Sequence, residues 1–110
     1  MAAFVVRKSS DGQFYFNLKA DNGQTILTSE MYTTKAACMN GIESVKKNAG
    51  NEGAYEKKTA SNGQEFFVLK AANHEIIGKS ESYSSAAARD GGLASVRTNA
   101  SGAEVKDETA

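Results

Sequence analysis

The feature that most constrains this chain is an internal repeat. Residues 4–49 align with residues 55–100 at a constant offset of 51 positions, without a gap, and 19 of the 46 aligned pairs are identical. The identities include Gly12/Gly63, Phe16-x-Leu18-Lys19-Ala20 against Phe67-x-Leu69-Lys70-Ala71, and Ser29-Glu30-x-Tyr32 against Ser80-Glu81-x-Tyr83. A register kept so strictly means that both copies fold alike, and every position has a twin against which it can be judged.

Each copy has only about 50 residues, near the lower limit for burying an independent core. One domain over residues 1–110 is therefore expected, built from repeat one (4–49), repeat two (55–100) and a closing strand within 101–110. With 40% apolar and 24% charged residues, the composition is that of a soluble globular protein. No apolar run approaches the ~20 residues that span a bilayer, and the start has no signal-peptide pattern, so a cytoplasmic protein without membrane contact is expected. A single cysteine fits a reducing compartment. Thirteen basic and thirteen acidic residues cancel, leaving no global field toward nucleic acid or anionic lipid.

Each copy opens with a strand-like stretch, Phe4-Val5-Val6-Arg7-Lys8 or Tyr55-Glu56-Lys57-Lys58-Thr59, followed by Asp11-Gly12 or Asn62-Gly63, which reads as a type I′ hairpin tip. The next strand alternates. Phe14, Phe16 and Leu18 point to the core, as do Phe67 and Leu69, while Tyr15, Asn17 and Lys19 with Phe66, Val68 and Lys70 point the other way. A second turn at Asn22-Gly23 or Asn73-His74 leads to a third strand around Ile26-Leu27 or Ile76-Ile77.

The period then changes from two to about 3.6, predicting helices over 34–48 and its twin, with Thr33 and Ser84 as N-caps and Tyr32 stapled onto Ala37. Glycine in mid-helix costs ~1 kcal/mol relative to alanine. Its recurrence at Gly41 and Gly92 therefore predicts a close backbone approach, along Ala37, Gly41, Ser44 and Asn48 in the first copy. Residues 54–59 are expected to close copy one and open copy two in one strand, and Ala103-Glu104-Val105-Lys106-Asp107 to form a final closing strand.

The pattern Phe-x-Leu-Lys-Ala-x-Asn, then Ile, then Ser-Glu-x-Tyr, then an alanine-rich helix ending in Ser-Val-x-x-Asn-Ala, resembles the YegP-like family of small uncharacterised bacterial proteins. The resemblance covers nearly the whole chain. It implies β-β-β-α-β units whose exchanged closing strands build a single sheet, so that a tandem chain is a dimer within one polypeptide. It brings no activity, cofactor or catalytic residue. Together these readings predict an α+β fold: one antiparallel sheet, two helices on one face and a pseudo-two-fold axis, in a monomer.

Candidate sites are few. His74 stands where copy one has Gly23, and reads as a turn residue, since histidine tolerates left-handed backbone. One histidine and one cysteine cannot form a closed zinc site, and the carboxylates lack calcium-loop spacing, so no metal or other cofactor is expected. Cys38 reads as a semi-buried small apolar residue, and its twin Arg89 as a stem at the boundary with its head in solvent. Ser29, Glu30 and Tyr32 with their copies Ser80, Glu81 and Tyr83 could supply a nucleophile, base and hydroxyl. At a strand-to-helix junction, however, backbone hydrogen bonding and packing explain them more simply.

The candidate binding residues are Tyr15, Lys19, Asn22, Glu30 and Tyr32 in copy one and Phe66, Lys70, Asn73, Glu81 and Tyr83 in copy two. The favoured function is a non-enzymatic interaction module that binds a protein or peptide through the sheet face away from the helices. The alternative is a weak single-stranded nucleic-acid binder in which the rings of Tyr15 and Phe66 stack on bases and Lys19 and Lys70 meet phosphates, against which the zero net charge counts. An enzyme is the third reading, without a convergent acid, base and nucleophile to support it.

Overall fold

The computed structural model describes residues 2–109. Four hairpin loops with one hydrogen-bond pattern set its strand registers. Gly12 N donates to Ser9 O at 3.0 Å, and Gly23 to Ala20, Gly63 to Ala60 and His74 to Ala71 at 2.9 Å each. Among the described residues positive φ occurs only at the residue that ends each turn, Gly12, Gly23, Gly63 and His74. The tips are therefore not type I′ turns, which need positive φ at both central residues; each is a turn followed by one left-handed residue. His74, at φ 68°, shows that histidine fills this position in place of glycine.

The strands are β1 (Ala3–Lys8), β2 (Phe14–Lys19), β3 (Thr25–Ser29), β4 (Tyr55–Thr59), β5 (Glu65–Lys70), β6 (Ile76–Lys79) and β7 (Glu104–Asp107), with helices α1 (Lys35–Asn48) and α2 (Ala86–Asn99). They form one seven-stranded sheet in the order β4-β5-β6-β3-β2-β1-β7. The sheet is mixed, not wholly antiparallel: β7 runs parallel to β1, because it returns from α2 at the same end from which β1 starts. At the centre Thr28 of β3 pairs with Lys79 of β6. These two are twins, so the pseudo-two-fold axis passes through that pair.

Closure of the two ends differs. Repeat two's last strand, β7, crosses to cover the outer edge of β1 in repeat one. After α1, one turn of 3-10 helix (Glu52–Ala54) leads directly into β4, which pairs with β5 alone. β4 opens repeat two but pairs with no strand of repeat one, so it does not also close copy one as expected, and among the described residues no strand covers its own outer edge.

One face of the sheet carries Phe4, Val6, Phe16, Leu18, Leu27, Phe67 and Leu69, all fully buried. Against it lie Cys38, Ile42 and Val45 of α1 and Leu93 and Val96 of α2. Phe4 meets Phe16 edge-on at 5.6 Å and Tyr55 meets Phe67 at 5.7 Å, the same contact in both copies. Because α1 packs on β2, β5 and β6 and α2 on β3 and β5, each helix spans both repeats and the interior is shared.

The helices start one residue later than expected, at N-caps Thr34 and Ser85, which accept from Ala37 N and Ala88 N at 3.1 Å. The delay has a cause. Tyr32 is still bonded to the sheet, exchanging 2.7 Å hydrogen bonds with Phe14 in both directions, so the chain needs two further residues before it can turn. The ring of Tyr32 reaches as far as Gly41 of the helix. A Cβ placed at Gly41 would lie 2.8 Å from Tyr32 Cζ, and one at Gly92 2.7 Å from Tyr83 Cζ. The repeated glycines are seats for tyrosine rings, not points where two backbones meet.

Candidate functional site

The sheet face without helices is ordered by register. Val5, Asn17, Thr28, Lys79, Val68 and Glu56 form one cross-strand row from β1 to β4, centred on the pseudo-two-fold pair. Val5 and Val68 are each only 4% exposed although no helix covers them. In the same row Asn17 Nδ2 donates to Thr28 Oγ1 at 2.9 Å. Lys79 Nζ stands 4.8 Å from the centre of the Phe66 ring, within the range of a cation–π contact.

Tyr15 and Phe66, both half-buried, lie two residues off this row in opposite directions. Strand spacing and rise put them ~20 Å apart. Lys19 sits opposite Ala3 near one edge. Lys70 Nζ is 3.0 Å from Glu56 Oε1, with Lys58 Nζ on the same oxygen at 3.4 Å. The hydrogen bond from Lys70, then the charge of Lys58, holds the Glu56 carboxyl below its ordinary range. The four residues of the nucleic-acid reading thus share one face as two distant pairs, one of them already partnered by a carboxylate.

On the axis a shallow pocket of about 340 Å³ is lined by Thr28, Ser29, Glu30, Lys79, Ser80, Glu81 and Ser82. It brings Glu30 and Glu81 to one depression. The serines beneath are engaged with backbone: Ser29 Oγ accepts from Phe16 N at 2.9 Å and donates to Glu30 O at 2.8 Å. Ser80 makes the same two bonds with Phe67 N and Glu81 O. Neither hydroxyl faces a base.

The remaining candidates lie elsewhere. Tyr32 and Tyr83 lie beside the helices, and burial pushes both phenols up, with Cys38 and Glu30 adding to the first and Glu81 to the second. Asn22 and Asn73 cap hairpin tips, their Oδ1 atoms accepting from Gln24 N at 3.0 Å and Glu75 N at 3.1 Å. These bonds hold the turns.

Cys38 is fully buried rather than semi-buried, and burial raises its thiol, with the Asp107 carboxylate adding to the effect. Such a thiol is poorly nucleophilic. Its twin Arg89 does not extend into solvent. Its side chain is 12% exposed, with Nη1 2.5 Å from Glu65 Oε1 and Nε 3.2 Å from Asp90 Oδ1. Glu65 is the twin of Phe14, a half-buried member of the apolar core. Copy one therefore has an apolar pair of positions where copy two has an ion pair, a coordinated change that the sequence shows only as two separate departures. Among the described residues no three histidine, cysteine or acidic side chains gather as a metal site would require, and no helix is long and apolar enough to cross a membrane.

The family model for a domain of unknown function, DUF1508, matches this chain twice, at residues 9–56 and 60–107. The chain belongs to the DUF1508 family. The first DUF1508 match ends two residues into β4 and the second at the end of β7. Among relatives, the UPF0339 protein YegP of Escherichia coli K12 is 57% identical over 106 residues, 96% of each chain. A UPF0339 protein of Bordetella pertussis is 49% identical over 109 residues, 99% of this chain and 98% of its own length. The solution NMR structure of yegP from E. coli, described as a protein of unknown function, aligns at TM-score 0.94 and 56% identity over 98% of this chain and 93% of that one. That of the UPF0339 protein of Shewanella oneidensis aligns at 0.93 and 53%, over 98% and 92%. This DUF1508 chain is thus similar to known tandem folds along nearly its full length.

Proposed function

We propose that this chain is a non-enzymatic interaction module, a cytoplasmic monomer that binds a protein or peptide through the helix-free sheet face. The observation that carries the reading is the composition of that face about the axis. Half-buried rings at Tyr15 and Phe66 flank a shallow depression in which Lys79 and the carboxylates of Glu30 and Glu81 carry opposite charges. Mixed charge with aromatic anchors suits a protein surface; a polyanion would favour uniformly basic side chains. The engagement of Ser29 and Ser80 with backbone argues against their serving as nucleophiles in that depression.

Amide-shift titration of labelled protein with extended peptides and with oligonucleotides tests it. Peptide-dependent shifts around Thr28, Phe66 and Lys79, lost in Phe66→Glu at unchanged melting temperature, support the reading. Shifts at Lys19 and Lys70 with oligonucleotides alone, weakening steeply with salt, would replace it by nucleic-acid binding.

A further inference from the structure

β1 and β4 are twins in position within the repeat, yet among the described residues only β1 carries a further strand on its outer side. In repeat one β7 lies parallel to β1 with Ala3 opposite Glu104, Phe4 opposite Val105, Val5 opposite Lys106 and Val6 opposite Asp107. Val6 O accepts from Glu108 N at 2.9 Å, and Lys35 of α1 holds Asp107 at 2.8 Å, so the added strand is bound to both the edge and the neighbouring helix. In repeat two the twins of β1 and α1 are β4 and α2. β4 pairs with β5 in the register that β1 keeps with β2, Tyr55 opposite Leu69 as Phe4 is opposite Leu18. The carbonyl of Lys57, twin of Val6, is therefore aimed at the outer edge, where the described residues place no strand. Between that edge and α2 lies a groove of about 490 Å³, lined by Tyr55, Lys57, Asp90, Leu93 and Arg97 among others.

We infer that this groove is a vacant strand-binding slot, which takes an extended segment of a partner protein running parallel to β4. The chain's own β7 is the template for what fits. The residue opposite Tyr55 would face α2, next to the buried Leu93, and should be apolar, as Val105 is. The residue opposite Glu56 meets a carboxylate that Lys70 and Lys58 already approach, so it should not be acidic, and Lys106 of the template is not. The one opposite Lys57 meets an ammonium and should be acidic, as Asp107 is. The cation that Lys35 supplies from the helix in repeat one is supplied by Lys57 from the strand in repeat two, where the twin of Lys35 is Ala86. At present Lys57 pairs with Asp90 at 3.1 Å, an exposed contact that an incoming acid can replace. Main-chain bonds along an edge with alternate side chains in pockets are the general mode of strand addition. The charged residues of β4 would then select the partner as well as guard against indiscriminate pairing. The slot is on the helix side of an outer edge, away from Tyr15 and the axis, so it stands or falls separately from the sheet-face reading.

The probe is the peptide Ser-Gly-Ala-Glu-Val-Lys-Asp-Glu-Thr-Ala, which repeats residues 101–110, added to labelled full-length protein at up to millimolar concentration. Saturable shifts at Lys57, Lys58, Asp90, Leu93 and Arg97 are expected, with at least tenfold weaker binding by a peptide whose Lys and Asp are exchanged. Lys57→Glu, an exposed change that should leave the melt unaltered, should weaken the original peptide tenfold and improve the exchanged one. No shift along β4, equal response to both peptides, shifts confined to β1 through displacement of the native β7, or a concentration-dependent dimer through β4 that ignores peptide would each overturn the slot.

Discussion

β1 and β4 are twins in position and opposites in character. β1 reads Ala-Phe-Val-Val-Arg-Lys and buries its first four residues; β4 reads Tyr-Glu-Lys-Lys-Thr and leaves four of its five exposed. Their ladders to the next strand share one register, so the difference comes from the other side, where β1 has a neighbour and β4 has none. A strand with neighbours on both sides can be apolar throughout, whereas an edge strand needs charge to discourage unwanted pairing. The contrast between Phe14/Cys38 and Glu65/Arg89 carries the same lesson at smaller scale. Equivalent space is filled by apolar packing in one copy and by a largely buried ion pair in the other.

The sharpest way to break the first comparison is to exchange the twins. Val6 has no exposed surface, and Val6→Lys should destabilise by about 3–5 kcal/mol, as an unpaired buried charge does. The reciprocal Lys57→Val removes only an exposed pair and should change chemical-denaturation stability by less than about 1 kcal/mol. Equal costs would mean that β4 is not an edge.

Next comes the ion pair. Glu65→Gln keeps an acceptor oxygen for Arg89 but removes the charge that balances it, and should cost about 2 kcal/mol. The double change Glu65→Phe with Arg89→Cys, which installs copy one's residues, should be neutral or stabilising by about 1–2 kcal/mol in the same measurement. A double change as harmful as the single one would show that the two copies differ in shape there, not only in chemistry.

The glycines give a smaller split. Tyr32 is stacked on Phe16, with ring centres 6.5 Å apart, and Phe16 Cε2 also lies 3.1 Å from the position of a Gly41 Cβ. Around Gly92 the three nearest atoms all belong to Tyr83, and Gly92 itself is half-buried where Gly41 is buried, so there is more room for that one ring to yield. Gly41→Ala should therefore cost about 1–2 kcal/mol through overpacking. Gly92→Ala should stay near zero, because propensity gains up to ~1 kcal/mol. Thermal melts of the two variants check this.

The smallest effect concerns the closed edge alone. Lys35, then the hydroxyl and amide of Thr109, hold the Asp107 carboxyl well below its ordinary range. With its folded pKa below the unfolded one, its contribution is present above the unfolded value and lost as pH falls through the folded value. A carboxyl NMR titration should find the low midpoint, and Lys35→Met should move it upward with little effect on stability at neutral pH.

Much of this was legible in the chain. The alternation of Phe16 and Leu18 with Tyr15 and Asn17 located the core face, and the change of period located both helices. The parallel direction of β7 was not, because it depends on the end of the sheet at which α2 finishes. Gly41 and Tyr32 recur together in both copies, yet their contact spans a strand-to-helix corner whose angle no local pattern gives. Glu65 and Arg89 are separated by 24 positions and became a pair only when β5 and α2 were side by side. For the candidate surface, alternation put Tyr15 and Phe66 on one face, while their separation and the depression at Glu30 and Glu81 followed from the β3–β6 register.

That register has one more result. A residue on a symmetry axis meets itself, so in a dimer of identical single-repeat chains a lysine at position 28 would confront another lysine, and direct cross-strand repulsion is unfavourable. Covalent linkage of two copies lifts the restriction. Here one side holds Thr28, which accepts from Asn17, and the other holds Lys79, which leans over Phe66. Fusion thus lets the two halves differ even where twin residues face each other directly.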